Sequence, residues 1–156
     1  MTWQEICESP QLRDLPFKIE TNGFGQILMS PASNWHARRQ VKIAATLENQ
    51  KSEGEVFSEC SVLTAAGVKV ADVAWGSAKF VRTHHYETPY PLSPELCVEI
   101  TSPSNSRAEM QEKIMLYLAK GAKEVWLCSD TGAMKFFVHE GETKKSALFP
   151  KFPKKI

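Results

Sequence analysis

The spacing of apolar and polar positions predicts a short helix and then a hairpin in the first part of the chain. The helix can form in MTWQEICES. The next segment, FKIETNGFGQILMSP, has the composition of two short strands around a turn at Asn22, Gly23 and Gly25. Asparagine and glycine favour the backbone conformations of tight turns, so we expect a hairpin over this segment.

A longer helix and three strands follow the hairpin. Ser33 can cap a helix that runs to about Lys51, because neither glycine nor proline interrupts that stretch. Strands are then predicted in EVFSECSVLTA, VKVADVAWG and ELCVEITS. Between the last two, we expect a short helix and a proline-bearing loop from Ser77 to Pro94, and such loops often carry functional residues.

The next helix has the clearest boundaries in the sequence. Ser106 and Glu109 have the spacing of a capping box, and Gly121 stands where a left-handed residue would end the helix. Apolar residues recur between them at helical spacing, as a stripe that would face the core. The helix is expected to run from about Arg107 to about Lys120.

The order of these elements indicates the fold class. After the second long helix, strands are predicted in EVWLCSD and MKFFVHE, joined by a turn from Asp130 to Gly132, and the lysine-rich KKSALFPKFPKKI follows. A strand, a helix and another strand in succession favour a mixed sheet with helices on its faces. We therefore expect an α/β fold, and in addition a strongly bent central sheet.

Composition and charge narrow the class of protein. A chain of 156 residues can bury one sizeable core, so residues 1–156 are expected to form a single domain. Nineteen basic and eighteen acidic side chains leave a net charge of +1, which excludes a global field that would attract nucleic acid or a membrane. Any such partner must be recognised by a local patch.

The cysteines and the apolar segments indicate a cytoplasmic protein. Cys7, Cys60, Cys97 and Cys128 lack the spacing of a zinc site or of a disulfide framework, so we expect reduced thiols in the core. No segment approaches the length of a membrane-spanning helix, and the first residues lack an apolar run behind basic residues. A membrane partner is therefore not expected.

Two carboxylates interrupt apolar strands. Asp72 lies in VKVADVAWG and Glu99 in CVEI, where the loss of hydration makes a charge costly unless a cation or several donors compensate it. If the two strands are neighbours, the side chains can hold one magnesium or manganese ion through their oxygens. Alternatively, each acid lies at a strand edge and pairs with a lysine or arginine, and the pattern leaves both interpretations open.

Lys113 is the cation best placed to assist such a site. Helical periodicity puts it beside Met110 and Tyr117, at the border of the buried stripe. From there its ammonium could orient a water molecule or stabilise developing negative charge. The alternative is an ordinary ion pair with Glu109, worth about 0.3 kcal/mol, and without further information this ion pair is the simpler interpretation.

Several segments resemble one family. ADVAW and the block PELCVEITSPSNSRAEMQEKIMLYLAKGAKEVWLCSD are similar to the Uma-type family of restriction endonucleases, a branch of the PD-(D/E)XK nuclease superfamily. IETNGFGQILMSPASNWHARRQ resembles the N-terminal half of the same family, so the likeness extends from about Lys18 to about Asp130. It implies a restriction-endonuclease-like core with Asp72 as the acid of the first motif and Glu99 as the acid of the second.

The sequence departs from the superfamily pattern at two positions. Ala71 replaces the proline before the first acid, and we expect no effect because that proline makes no metal contact. Thr101 stands two residues after Glu99, where the usual lysine would be. The resemblance implies that members of this type carry the lysine on the following helix, and Lys113 matches that place.

Three further side chains could take part in the site. Glu20 and His36 lie in the segment that resembles the family, and Glu48 lies on a helix face with Ala37 and Val41. Each could be an additional metal ligand or could hold a ligand in place. An ordinary structural role is the favoured interpretation for all three.

The predicted function is a magnesium- or manganese-dependent endonuclease that hydrolyses phosphodiester bonds in DNA. Asp72 and Glu99 would hold the metal, and Lys113 would orient the water or stabilise the charge on the phosphate. Because like charges repel, loss of either acid should leave the metal-free protein equally or more stable. The alternatives are a catalytically inactive DNA-binding or protein-interaction module on the same fold, and an enzyme that acts on RNA.

A DNA-binding surface needs basic side chains, since nonspecific affinity comes mainly from neutralised phosphates. Two groups are available: Arg38, Arg39 and Lys42, and Lys144, Lys145, Lys151, Lys154 and Lys155. Solvated faces are the simpler interpretation of both groups. A homodimer would double the local patch and would suit a duplex with two strands to cut.

Overall fold

The structure, a computed structural model, describes all residues from 1 to 156. Its helices and strands are α1 (Trp3–Glu8), β1 (Phe17–Thr21), β2 (Ile27–Pro31), α2 (Asn34–Glu48), β3 (Glu55–Thr64), β4 (Gly67–Gly76), α3 (Ala78–His84), β5 (Leu96–Ile100), α4 (Arg107–Ala119), β6 (Glu124–Cys128), β7 (Met134–Val138) and β8 (Gly141–Thr143). The elements follow the predicted order. The short β8 is the one strand that the sequence did not predict.

A six-stranded mixed sheet forms the centre of the molecule, in the order β3-β4-β5-β6-β7-β8. Neighbouring strands are antiparallel except for β5 and β6, which are parallel. A parallel pair needs a crossover connection, and α4 supplies it. The predicted α/β fold, with a mixed sheet flanked by helices, is confirmed.

The predicted hairpin forms a separate two-stranded sheet from β1 and β2. Side chains of β1 join it to the central sheet. Glu20 Oε1 accepts a hydrogen bond from the backbone N–H of Val70 at 2.7 Å, and Thr21 Oγ1 accepts one from the backbone N–H of Val68 at 2.8 Å. The hairpin is thereby attached to β4 by polar contacts rather than by a continuous strand ladder.

The central sheet has an apolar core on each face. Ile43 of α2 belongs to one core and Ile114 of α4 to the other. Along β5, Val98 contributes to the first core and Cys97 to the second, as the alternation of side chains along a strand requires. All five residues of β5 are buried, so this strand is covered on both faces.

The long helices begin at the predicted caps and differ from prediction in two details. Ser33 caps α2, but the helix ends at Glu48, about one turn earlier than expected. Ser106 caps α4 by accepting a hydrogen bond from the backbone N–H of Glu109. The capping box is only half formed, because the Glu109 carboxylate accepts a hydrogen bond from Asn105 Nδ2 at 3.1 Å and does not return one to the cap residue.

The last segment of the chain packs into the core on the α2 face. Phe149, Phe152 and Ile156 are all buried there. The backbone N–H of Ile156 donates to the Gly132 carbonyl at 2.9 Å, and a side chain at Gly132 would collide with the Ile156 carbonyl. Lysines and prolines separate these apolar residues in the sequence, so no periodic pattern marks them as core.

The cysteine prediction is correct for three residues and wrong for one. Cys60, Cys97 and Cys128 are buried free thiols, whereas Cys7 is exposed on α1. The helix is only six residues long and buries a single side chain, that of Ile6, so most of its surface faces water. None of the helices has the length and apolar content required to cross a bilayer.

A buried carboxylate attaches the last segment to β6. Glu124 is 2% exposed, and its Oε2 accepts hydrogen bonds from Trp126 Nε1 at 2.7 Å and from Ser146 Oγ at 2.6 Å. Its Oε1 accepts hydrogen bonds from the backbone N–H groups of Ala147 at 2.7 Å and Leu148 at 2.9 Å. Each oxygen receives two donors, which compensates the lost hydration of the charge.

We predict that Glu124→Ala lowers the free energy of unfolding by about 3 kcal/mol or more, because it leaves buried donors without an acceptor. Urea denaturation followed by circular dichroism measures the change. Glu142→Ala, at an exposed position of β8, is the control and should change the free energy by less than about 0.5 kcal/mol. Equal stability of the two variants would contradict the role given to Glu124.

Candidate active site

The candidate site lies where β4 and β5 separate. The strands pair through Val73 and Val98, and the next positions in the same register are Asp72 and Glu99. There the ladder stops, and the backbone N–H of Ile100 donates to Asp72 Oδ2 at 2.6 Å. Both strands are internal to the sheet, so the two acids are not strand-edge residues. The other half of that interpretation is correct, because each acid pairs with a lysine.

The strand pairing at Asp72 is also irregular on its other side, toward β3. Glu59 lies opposite and has a φ of 54°, which is uncommon for a residue other than glycine. The pairing of β3 with β4 skips this step. Gln40 Nε2 from α2 donates instead to the Asp72 carbonyl and to Glu59 Oε1, each at 2.7 Å. The sheet is thus interrupted on both sides of Asp72.

The two oxygens of Asp72 have different surroundings. Oδ2 is held by the Ile100 N–H and lies 3.2 Å from His36 Nε2, whereas Oδ1 accepts a hydrogen bond from Lys18 Nζ at 2.8 Å. Burial alone would raise the pKa of Asp72, but Lys18 and His36 outweigh it and lower this pKa from 3.8 to about 2. Asp72 is therefore ionised at neutral pH. The hydrogen bond between Asp72 and His36 is the main cause of the raised pKa of His36.

The oxygens of Glu99 show the same division. Oε1 accepts a hydrogen bond from the Tyr117 hydroxyl at 2.8 Å. Oε2 accepts from Lys113 Nζ at 3.3 Å and from Lys18 Nζ at 3.4 Å. Burial raises the pKa of Glu99, and the two lysines oppose this effect only in part. Each acid therefore has one oxygen directed toward an ammonium group, and the other is held by Ile100 and His36 in Asp72 and by Tyr117 in Glu99.

Lys113 lies between two carboxylates, as its predicted place at the border of the buried stripe of α4 allows. Its Nζ is 2.8 Å from Glu20 Oε1 and 3.3 Å from Glu99 Oε2, and its side chain is 8% exposed. Burial would lower the pKa of Lys113, but Glu99 and Glu20 raise it. The alternative pairing with Glu109 is wrong, because Lys113 points inward to acids that burial has deprived of water, while Glu109 bonds to Asn105.

Lys18 contacts both acids and was not predicted from the sequence. Its Nζ is 2.8 Å from Asp72 Oδ1, 3.4 Å from Glu99 Oε2 and 4.0 Å from Glu20 Oε1. Burial would lower the pKa of Lys18, but the three carboxylates raise it. A signal was present in FKIET: Lys18 and Glu20 are two residues apart and so share one face of a strand.

These contacts overturn the premise of the predicted stability effect. Asp72 and Glu99 are not an uncompensated pair of like charges, because Lys18 and Lys113 lie among the carboxylates. Removing one acid would leave a buried ammonium with fewer partners, and a buried charge without its partner is strongly destabilising. Loss of either acid is therefore expected to lower the stability of the metal-free protein.

The structure brings two of the three further candidates to the site. Glu20 contacts Lys113, and His36 contacts Asp72 while its own Nδ1 is buried without a hydrogen-bond partner. Glu48 is exposed on α2 and lies outside the site, so its candidacy as a ligand is wrong.

Thr101, which stands where the superfamily usually has a lysine, faces away from the acids. Thr101 Oγ1 donates to the Cys128 carbonyl of β6 at 3.3 Å, and the Thr101 backbone N–H donates to the same carbonyl at 2.8 Å. A side chain at this position is thus directed to the neighbouring strand. Lys113 reaches Glu99 from the helix above the sheet instead.

A cleft of about 500 Å³ opens onto the acids. Its titratable lining consists of Lys18, Glu20, His36, Glu59, Asp72, Glu99, Glu109 and Lys113. No group of three or more His, Cys, Asp or Glu side chains is arranged as a metal centre, and Lys18 Nζ contacts both Asp72 and Glu99. The cleft nevertheless gives a ligand access to both acids.

The basic residues that were predicted to contact DNA differ in whether their side chains are free to do so. Arg38 and Lys42 are exposed on α2. The five lysines near the end of the chain are exposed as well. Arg39 Nη1 donates to the Ile156 carbonyl at 2.7 Å, and its guanidinium lies 4.9 Å from the centre of the Trp35 ring. Arg39 therefore holds the last segment against α2, and its charge is already engaged.

Comparison with known proteins agrees with this fold and identifies the family. No curated protein matches the chain. A crystal structure described as a putative nuclease belonging to DUF820 from Anabaena variabilis has a similar fold, with a TM-score of 0.68, 18% identity, and coverage of 92% of this chain and 83% of that chain. The Uma2 family, described as "Putative restriction endonuclease", matches residues 3–149 and supports a nuclease function. This chain belongs to the Uma2 family.

Proposed function

We propose that residues 1–156 are a single nuclease domain that hydrolyses phosphodiester bonds in DNA with the help of a divalent metal ion. One observation carries the proposal. Asp72 Oδ1 and Glu99 Oε2, from neighbouring strands, converge on one positively charged group. Their other oxygens are held by Ile100 and Tyr117, so the two acids are oriented before any ligand binds.

The residues present fit a magnesium or manganese ion. Lys18 Nζ, a cationic group, lies within 3.4 Å of one oxygen of each acid, so the oxygens already form a cation-binding arrangement. Asp72 and Glu99 would hold the metal through these oxygens, which both ions prefer as ligands. When bound, such an ion lowers the pKa of a coordinated water molecule and polarises a phosphate.

Lys113 supplies a fixed positive charge at the wall of the same cleft. Glu20 and Glu99 hold its ammonium on two sides, and Glu20 is itself held by the backbone N–H of Val70. A charge that is oriented in advance, in surroundings poor in water, stabilises developing negative charge on a phosphate without further rearrangement. Glu20 is in this scheme a positioning residue that acts through Lys113.

DNA is the proposed substrate because the family is described as one of restriction endonucleases. Arg38 and Lys42 are exposed on α2, the same helix that brings His36 to the cleft. Neither lines the cleft itself, so we propose that they contact phosphates of the DNA away from the bond to be cut. With a net charge of only +1, a homodimer would provide the larger basic surface that a duplex requires.

A catalytically inactive DNA-binding or interaction module is the second candidate, and one observation favours it. The position between Asp72 and Glu99 is filled by the ammonium of Lys18. A permanent ion pair there would exclude a metal. Cleavage of supercoiled plasmid with Mg²⁺ or Mn²⁺, compared with EDTA and with an RNA substrate, distinguishes the two: no cleavage of either nucleic acid would favour the module.

For the carboxylates, Asp72→Asn and Glu99→Gln should each reduce metal-dependent cleavage by a factor of about 100 or more, the scale of losing one essential electrostatic group. Each should also lower the thermal midpoint in EDTA, because an ammonium loses its partner. Single-turnover cleavage and thermal unfolding test the two effects. Glu142→Gln, exposed on β8, is the control, and cleavage that persists in both site variants would refute the metal-ligand role.

For Lys113, the change to Met keeps most of the packed stem and removes the charge. Cleavage should fall by about 100- to 1,000-fold, whereas DNA binding measured in Ca²⁺ should stay within about threefold. Lys123→Met, at an exposed position after α4, is the matched control. If Lys113→Met and Lys123→Met cleave at the same rate, Lys113 has no part in the reaction.

A further inference from the structure

Lys18 differs from Lys113 in the acids that it contacts. Lys18 Nζ lies within ion-pair distance of Asp72 and Glu99 together, at 2.8 and 3.4 Å. Lys113 contacts Glu99 and Glu20 but has no ion pair with Asp72. Lys18 is therefore the group that occupies the space shared by the two proposed metal ligands.

The atoms in contact with Lys18 are the ones a metal ion would need. Oδ1 of Asp72 and Oε2 of Glu99 face Lys18, while the opposite oxygens are engaged by Ile100 and Tyr117. A magnesium ion binds its oxygen ligands at about 2.1 Å. Lys18 Nζ touches both of these oxygens, so an ion bound to the same two would meet this ammonium at close range, and the positive charges would repel one another. Lys113 touches Glu99 Oε2 but not Asp72, so it does not compete for the position shared by both acids.

The surroundings give Lys18 room to leave. It lies on β1, in the two-stranded sheet outside the central one, and its neighbours Pro16 and Phe17 line the open cleft of about 500 Å³. The Lys18 side chain is 13% exposed and itself lines the cleft, and its stem has four flexible carbons, so a displaced ammonium would turn toward the cleft. Lys113 lines the same cleft but is also held by Glu20 at 2.8 Å.

We propose that Lys18 is a built-in competitor of the metal ion: its ammonium neutralises Asp72 and Glu99 in the metal-free protein and must be displaced when the ion binds. Lys18 then lowers the affinity for metal while it stabilises the metal-free fold. The inference rests on the metal site of the proposed function. Beyond that function, Lys18 of β1 would be the cation that occupies the site until a metal ion displaces it.

The test is Mn²⁺ binding measured by isothermal titration calorimetry, without DNA, for the wild type and for Lys18→Met. The variant should bind Mn²⁺ at least about tenfold more tightly, because competition is removed. Its thermal midpoint in EDTA should fall by about 5 °C or more. A merely structural role predicts the opposite result for binding, since a loosened site would bind metal more weakly.

Two further variants serve as controls. Lys18→Arg retains a positive charge that competes with the metal and should keep the affinity within about threefold of the wild type. Lys123→Met removes a lysine from an exposed position after α4 and should change neither the affinity for Mn²⁺ nor the thermal midpoint. The double variant Lys18→Met with Asp72→Asn should lose the gain in affinity, which assigns the binding to this site.

The outcomes separate this inference from the proposed function. If the wild type binds Mn²⁺ and Lys18→Met binds it equally or more weakly, competition by Lys18 is refuted and the metal site stands. If neither binds Mn²⁺, both the metal site and the competition are refuted. If only Lys18→Met binds it, the competition is confirmed and the wild-type site is blocked, in favour of the inactive module.

Discussion

Compensation of two buried carboxylates is the interaction on which the rest of the structure depends. Asp72 and Glu99 are 1% and 2% exposed, and burial without partners would cost several kcal/mol for each charge. Their partners come from outside the two strands: Lys18 from β1 and Lys113 from α4. The ion pairs therefore also contribute to the attachment of the hairpin and the helix, together with the hydrogen bonds of β1 and the apolar face of α4.

The fork between β4 and β5 makes this arrangement possible. A continuous ladder would engage the Ile100 N–H with a strand carbonyl, whereas the end of pairing at Val73 and Val98 leaves that N–H for Asp72. The left-handed Glu59 interrupts the ladder on the opposite side. Irregular backbone of this kind reduces stability and is typical of functional sites, where orientation of side chains outweighs regular pairing.

The separate surroundings of the two oxygens of each acid link stability to chemistry. The neutral donors at Ile100 and Tyr117 orient the carboxylates, and the lysines neutralise them. A site built only from acids would be unstable until a metal arrived, because like charges at close range repel. Here the lysines allow the protein to fold with the acids already in place. Lys113 neutralises Glu99 from a helix. A lysine at position 101 could not do this, because the side chain of Thr101 is directed to β6.

The sequence by itself determined the elements and the unusual positions. Caps at Ser33 and Ser106 located the long helices, and isolated charges in apolar strands marked Asp72 and Glu99 as exceptional. These signals are local: a cap acts within one turn, and a strand alternates every second residue. Lys113 could be placed at the border of its helix for the same reason.

Only the tertiary structure decided which charges meet. Lys18 is 54 residues from Asp72 and 81 from Glu99, and Lys113 is 93 residues from Glu20. No local periodicity reports on such distances along the chain, so the Glu109 pairing was wrong and the compensation of the two acids by Lys18 and Lys113 was not foreseen. The last segment is a similar case. Phe149 and Phe152 are core because the sheet leaves a face for them to cover, and a sequence rich in lysine and proline shows no sign of that face.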